Sequence, residues 1–218
     1  MEIQEILSHV DHTLLSTTAT YKDIKGVVEE AIEYKTASVC IPPCYVKNVY
    51  KDYCGRVKIC TVVGFPNGYN TTKVKVFETK QAVRDGADEI DTVINLGDVK
   101  AGKYKKIENE IKKIRSACEG KILKVIIETC DLSEREKIKL CSIVSESGAD
   151  YIKTSTGFSK GGATLEDIKL FKRYIAKSLK IKAAGGIRSI ADAEEFLAAG
   201  CDRLGTSSIV RLAKNSDI

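Results

Sequence analysis

Histidine is scarce in this chain, proline nearly so, and no Cys-x-x-Cys pair occurs. The two histidines are His9 and His12. They offer too few nitrogen ligands for a catalytic zinc centre, and without paired cysteines a closed structural zinc site is not expected either. Long apolar runs are also missing, since none approaches the ~20 residues that cross a bilayer. The opening Met1-Glu2-Ile3-Gln4-Glu5 is acidic and lacks the basic and apolar regions of an export signal. A cytoplasmic protein with no membrane partner is the expectation. Nor is charge of one sign concentrated: 35 basic residues face 30 acidic ones, a net +5 spread along the chain. Segments such as Lys103-Tyr104-Lys105-Lys106 and Lys112-Lys113 read as solvated helix faces, so no nucleic-acid partner is expected.

Cysteine is plentiful, with eight residues, but they are scattered singly, several in apolar stretches. Buried reduced thiols fit that distribution better than a disulfide framework. At 218 residues with 43% hydrophobic content, the chain has enough material for a substantial core.

A short phrase recurs. It reads Asp85-Gly86-Ala87-Asp88-Glu89-Ile90-Asp91, then Ser147-Gly148-Ala149-Asp150-Tyr151-Ile152-Lys153, then Ala199-Gly200-Cys201-Asp202-Arg203-Leu204-Gly205. A looser copy is Tyr34-Lys35-Thr36-Ala37-Ser38-Val39-Cys40. Each follows an amphipathic stretch, and the glycine suits a left-handed helix cap before an apolar strand begins. Strands are expected near 10–15, 37–41, 57–63, 89–95, 122–128, 150–154, 180–184 and 202–206. Helical patterns lie between them, at Thr72–Arg84, Lys103–Cys118, Ser133–Ser147, Leu165–Leu179 and Ile190–Ala199. Eight βα units predict one (β/α)₈ barrel over 1–218, with a short extra N-terminal helix. An open doubly wound sheet is the alternative. Five residues after the capping position lie Cys40, Asp91, Lys153 and Gly205, which places them at similar depth near the C-terminal rim.

Lys153 and Lys182 stand in predicted buried strands, with Asp91 at the matching position of a third. A lysine is rarely buried unless paired or stripped of its proton. A free amine with pKa about 10.4 is neutral in only about 0.04% of molecules at pH 7, so an imine-forming lysine must be tuned. A second ammonium at ~5 Å, with an effective dielectric of ~20, costs roughly 3 kcal/mol, or about 2 pKa units. The pair also fits lysines that merely bridge to acids such as Asp91 and Glu128, and the pattern leaves open which lysine reacts. Ala184-Gly185-Gly186-Ile187-Arg188-Ser189 and Gly205-Thr206-Ser207-Ser208 each lead from a strand into a helix, a setting suited to phosphate after strands seven and eight. Thr154-Ser155-Thr156-Gly157-Phe158 is a third glycine-bearing loop. His12 in Asp11-His12-Thr13 reads as a satisfied core residue, whereas Asp11 and Thr13 suit a hydroxylated substrate.

These residues resemble those of the deoxyribose-phosphate aldolase family, class I aldolases with a (β/α)₈ fold. The likeness runs from Val10-Asp11-His12-Thr13-Leu14-Leu15 to Gly205-Thr206-Ser207-Ser208. Its most specific stretches are Thr61–Asn70 with Glu89–Asn95, then Tyr151–Phe158, then Ile181–Arg188. The resemblance implies Lys153 as the Schiff-base lysine, Asp91 as proton donor and acceptor, and Lys182 as the lysine that perturbs Lys153 and relays protons. It implies a phosphate pocket of Gly157, Gly185, Gly186, Gly205, Ser207 and Ser208 with Arg188 nearby, and sugar contacts from Asp11, Thr13, Cys40 and Thr156. It further implies a small phosphorylated sugar as partner, a homo-oligomer of two or more chains, and neither metal nor cofactor. Ile41-Pro42-Pro43-Cys44, Lys160 and the polar tail from Lys214 depart from the family pattern. Another phosphosugar enzyme and a non-catalytic metabolite-binding barrel are the competing readings.

Overall fold

The computed structural model of the protein describes residues 1–215, so the last three residues of the polar tail lie outside it. Eight parallel strands close into a barrel in chain order. They are β1 (Val10–Thr13), β2 (Ser38–Ile41), β3 (Ile59–Val63), β4 (Glu89–Val93), β5 (Ile122–Ile126), β6 (Tyr151–Lys153), β7 (Lys180–Ala184) and β8 (Arg203–Thr206). Ten helices surround or connect them among the described residues: α1 (Ile3–Ser8), α2 (Tyr21–Glu33), α3 (Val46–Tyr53), α4 (Thr72–Arg84), α5 (Leu96–Lys100), α6 (Tyr104–Ala117), α7 (Glu134–Glu146), α8 (Leu165–Tyr174), α9 (Ile190–Ala198) and α10 (Ile209–Asn215). The expected barrel and its N-terminal helix are both present, and the open-sheet alternative falls. No helix among the described residues is long and apolar enough to cross a membrane.

Local chemistry places the helix ends. Thr20, Ser133 and Ser189 each form a capping box with an acidic residue three positions on. After α4, α7 and α9 the repeat glycines Gly86, Gly148 and Gly200 take φ of 107°, 80° and 105°. In the looser copy Lys35 takes that place at φ 51°.

Strand alternation separates two environments. Ile90, Leu123, Val125, Ile152, Ile181, Ala183 and Leu204 belong to the apolar core that packs sheet against helices. The residues alternating with them, Glu89, Asp91, Lys124, Lys153, Lys182 and Arg203, meet one another across the barrel. On the other wall Cys40, Cys60 and Val62 form a small apolar cluster with Leu15 and Phe65 packed against it.

Several boundaries differ from expectation. β1 stops at Thr13, two residues short of the predicted end. β5 ends at Ile126 rather than 128, because Glu128 turns into the left-handed region. α8 ends at Tyr174, because Ile175 is extended. α5 and the 3₁₀ turns at Pro43–Tyr45 and Thr129–Asp131 fall in segments where neither strand nor helix is expected. All eight cysteines are free, and five of them are buried.

Candidate active site

Lysines from three neighbouring strands converge on one aspartate. Lys153 Nζ donates to Asp91 Oδ2 at 2.8 Å, and Lys182 Nζ donates to the same oxygen at 2.7 Å. The two nitrogens are therefore at most about 5.5 Å apart, where like charges at an effective dielectric of ~20 repel by about 3 kcal/mol. Lys124 Nζ occupies the other oxygen, Oδ1, at 2.8 Å. Register explains the meeting: Asp91 pairs with Lys124 across β4 and β5, and Lys153 pairs with Lys182 across β6 and β7.

Beneath them lies a second layer of ion pairs. Asp11 binds Lys182 through Oδ2, takes Arg203 Nη1 on Oδ1 at 2.5 Å, and accepts from Ser38 Oγ at 2.7 Å. Glu89 pairs with Lys124 at 2.5 Å and with Arg203 at 3.1 Å. Arg203 also lies over the Tyr151 ring, 5.5 Å from its centroid. Burial opposes the charges on Asp11, Asp91, Lys124, Lys182 and Arg203, yet the partners outweigh it. Lys124, Lys153 and Lys182 hold Asp91 well below the ordinary carboxylate range, and Lys124, Lys182 and Arg203 do the same for Asp11. Asp11 and Asp91 in turn raise Lys182 and Lys124, so both remain ammonium groups across the physiological range.

The lysines differ in what they reach. Lys124 has three carboxylate partners and Lys182 has two. Among the described residues Lys153 has Asp91 alone. It is also the one lysine of the three that lines the cavity at the C-terminal rim, a space of about 370 Å³.

Ten sequence-predicted site residues line that cavity. Lys153, Thr13 and Thr156 stand at its floor and sides, and Gly157, Gly185, Gly186, Arg188, Gly205, Ser207 and Ser208 form the opposite end. Asp91, Lys182, Asp11 and Cys40 are buried and do not reach its wall. Thr13 Oγ1 donates to its own strand at Asp11 O. His12 Nε2 pairs with Glu30 at 2.8 Å on the helix side, whereas its buried Nδ1 has no hydrogen-bond partner among the described residues. The expected satisfied core residue is thus satisfied at one nitrogen only.

Close backbone approach builds the glycine-rich end. Gly185 has φ 79°, and a Cβ there would come within 3.0 Å of Gly162 Cα and 3.4 Å of Gly157 Cα. Gly205 gives the Lys182 stem its room, since an added Cβ would sit 3.1 Å from Lys182 Cε. Thr206 Oγ1 donates to Ile187 O and accepts from Ser208 N, tying the last two loops together. Exposed Arg188 and Ser207 complete a concave, donor-rich surface suited to an anion.

Two sets of acids and thiols lie close enough to hold a metal ion: Cys40, Cys60 and Asp91, and Asp11, Cys60 and Glu89. Their donor chemistry fits poorly. The carboxylate oxygens already carry ammonium and guanidinium groups, and burial keeps the Cys60 thiol protonated, donating to Asp91 Oδ1 at 3.2 Å.

The sequence pattern does not mark Lys124, Glu89, Arg203 or Glu128 as site residues. The clue to Lys124 is a disguised copy of the repeat, Cys118-Glu119-Gly120-Lys121-Ile122-Leu123-Lys124. Glu119 takes the glycine's place at φ 50°, and Lys124 falls five residues later, opposite Asp91.

Comparison with known proteins places this arrangement among relatives. A family model described as DeoC/LacD family aldolase matches residues 6–202. The chain is 58% identical over 217 residues to a deoxyribose-phosphate aldolase of Clostridium botulinum, covering 100% of this chain and 98% of that protein. It is 55% identical over 218 residues to one of Streptococcus agalactiae, with the same coverage. A tetrameric deoxyribose phosphate aldolase from Aeropyrum pernix superimposes with a TM-score of 0.91 at 30% identity, over 99% of this chain and 92% of that one.

Proposed function

The chain belongs to the DeoC/LacD family of aldolases, and from that premise we propose how its residues divide the work. The reaction is the metal-independent, reversible cleavage of 2-deoxy-D-ribose 5-phosphate to acetaldehyde and D-glyceraldehyde 3-phosphate, a step in the breakdown of deoxyribose phosphate.

Lys153, as free amine, attacks C1 of the open-chain sugar, and the carbinolamine loses water to give a protonated imine. The C3 hydroxyl gives up its proton and the C2–C3 bond breaks. Its electron pair moves toward the iminium nitrogen, leaving an enamine and releasing glyceraldehyde 3-phosphate. The enamine takes a proton on C2, and water hydrolyses the resulting imine to acetaldehyde and free Lys153. Asp91 and Lys182 relay these protons, with Asp91 2.8 Å from the reacting nitrogen. Lys182, kept charged by Asp11 and Asp91, stands beside the reacting amine and shares its carboxylate oxygen. Lys124 holds Asp91 from its other side. The loops of Gly157, Gly185, Gly186, Gly205, Ser207 and Ser208, with Arg188, take the phosphate, whose binding energy orients the reacting carbonyl. Thr13 and Thr156 face the sugar, whereas Asp11 and Cys40 act from behind it.

The observation that carries this reading is the position of Lys153, on the cavity wall and bound to a single carboxylate oxygen that Lys182 shares. The same reading includes an assembly of two or more chains, supported by the tetrameric relative, and a cytoplasmic location, where phosphorylated sugars are found.

The test is reductive trapping. Acetaldehyde and sodium borohydride should add an ethyl group to Lys153, located by peptide mass spectrometry, and Lys153→Ala should take none. Label on Lys182 would reverse the two roles. Folded protein unlabelled at both would remove the imine mechanism.

A further inference from the structure

Beyond the ends of β5 and β6 the ladder continues out of step. Ile127 N donates to Lys153 O at 3.1 Å and Thr129 N donates to Thr154 O at 2.9 Å. Two residues of one chain advance for one of the other, so Glu128 is the inserted residue of a bulge. Its φ of 53° and ψ of 69° lie in the left-handed region, which a non-glycine residue resists. Glycine would remove that strain, so the side chain has to justify its place.

That side chain is 3% exposed and forms no ion pair among the described residues. An unpaired carboxylate in such a setting works against stability. Burial accordingly pushes Glu128 above the ordinary range. Among the described residues its side-chain hydrogen bonds all come from one partner. Thr156 N donates to the two oxygens at 3.2 and 3.3 Å, and Thr156 Oγ1 donates to Oε2 at 2.5 Å. The same hydroxyl accepts from Phe158 N at 3.0 Å, extending the tether across 156–158. Further along, Asp131 binds Ser159 at 3.0 Å and Lys160 at 2.8 Å.

We propose that Glu128 is a positioning residue for phosphate recognition: through Thr156 it fixes the loop after β6 so that Gly157 packs on Gly185 and shapes the anion pocket before substrate arrives. The proposal rests on the aldolase reading for its substrate. It assigns Glu128 no proton transfer, because Glu128 itself does not line the cavity and meets it only through Thr156.

The test compares cleavage of 2-deoxyribose 5-phosphate with cleavage of unphosphorylated 2-deoxyribose, each as kcat and KM. Glu128→Ala should lower the phosphorylated-to-unphosphorylated ratio of kcat/KM by about tenfold or more, chiefly through KM. Borohydride trapping at Lys153 should stay within about threefold of wild type. Glu128→Gln keeps a carbonyl oxygen for the Thr156 hydroxyl and should return the ratio to within about threefold. Thr156→Ala cuts the tether from the other end and decides the matter if Glu128→Ala does not fold. Loss of a simple sugar contact there would slow both substrates alike and leave the ratio unchanged. An unchanged ratio in Thr156→Ala, or an equal loss on both substrates in Glu128→Ala, overturns the proposal. Trapping on wild-type Lys153 tests the aldolase reading separately, so the two ideas fail by different measurements.

Discussion

Lys124 stands directly opposite Asp91 in the β4–β5 register and binds Asp91 Oδ1 at 2.8 Å, leaving Oδ2 to Lys153 and Lys182. Its ammonium also reaches Glu89 and Asp11, which makes it the hub of the charged interior.

Lys124→Met should therefore destabilise the fold by about 3–5 kcal/mol, the cost of leaving buried carboxylates short of a cation. Adding Asp91→Asn to that variant should recover part of the loss. Urea unfolding of the four proteins in this cycle gives the coupling, and a single-mutant loss below about 1 kcal/mol would remove Lys124 from its role.

Lys153→Ala is expected to behave differently. Asp91 retains two cations, so the fold should survive, while kcat/KM falls by about 10⁴-fold or more because the covalent route is gone. Circular dichroism and steady-state kinetics on the same preparation check both halves. Activity within tenfold of wild type would rule out Lys153 as nucleophile.

Stability should follow pH in a defined way. Asp11 and Asp91 are depressed from 3.8, so their contribution is complete above that value and lost as pH falls through their folded values. Lys124 and Lys182 are raised from 10.5, so theirs is complete below that value and lost as pH rises through their folded values. Urea midpoints should be nearly level only from about pH 7 to about pH 8.5 and fall on either side. Buried His12 resists the proton that the unfolded chain takes up near 6.5, and the buried Cys118, Cys141 and Cys201 thiols resist the ionisation that the unfolded chain undergoes near 9. Asp91→Asn should soften the acid limb.

Thiol reactivity should sort by burial. Cys44 and Cys54 are exposed, whereas Cys118, Cys141 and Cys201 are buried with their pKa pushed up to about 12. Iodoacetamide at pH 8 should modify the first pair rapidly and the other three only on unfolding. Peptide mass spectrometry over a time course reads the order.

Gly185→Ala tests the glycine-rich end. Its Cβ would press on Gly162 Cα at 3.0 Å, in a backbone conformation at φ 79° that alanine resists. KM for the phosphorylated sugar should rise by about tenfold or more while acetaldehyde still traps on Lys153. An unchanged KM would show that this loop is not the phosphate contact.

Much of this was legible in the sequence because the same short phrase is written several times. A glycine in the left-handed cap marks where β4, β6 and β8 begin, so counting five residues onward brings out Asp91 and Lys153. Lys124 obeys that spacing but follows Glu119, and without the glycine its copy passes for an ordinary apolar strand with one charge. Arg203 sits in a copy that was recognised, yet its partners Asp11 and Glu89 lie on other strands, and only the register brings them together. Glu128 was hidden for another reason. A bulge shifts the ladder through hydrogen bonds between distant segments, and no local residue pattern announces it.

The charged interior also has a stoichiometry. Four basic groups, Lys124, Lys153, Lys182 and Arg203, face three acidic ones, Asp11, Glu89 and Asp91. With every group ionised the cluster carries one excess positive charge, and a single deprotonation at Lys153 makes it neutral. The proposed cycle then alternates between those two states: amine and enamine at zero, iminium at plus one. The cluster can thus form and discharge an iminium without its own side chains ever holding more than one uncompensated charge.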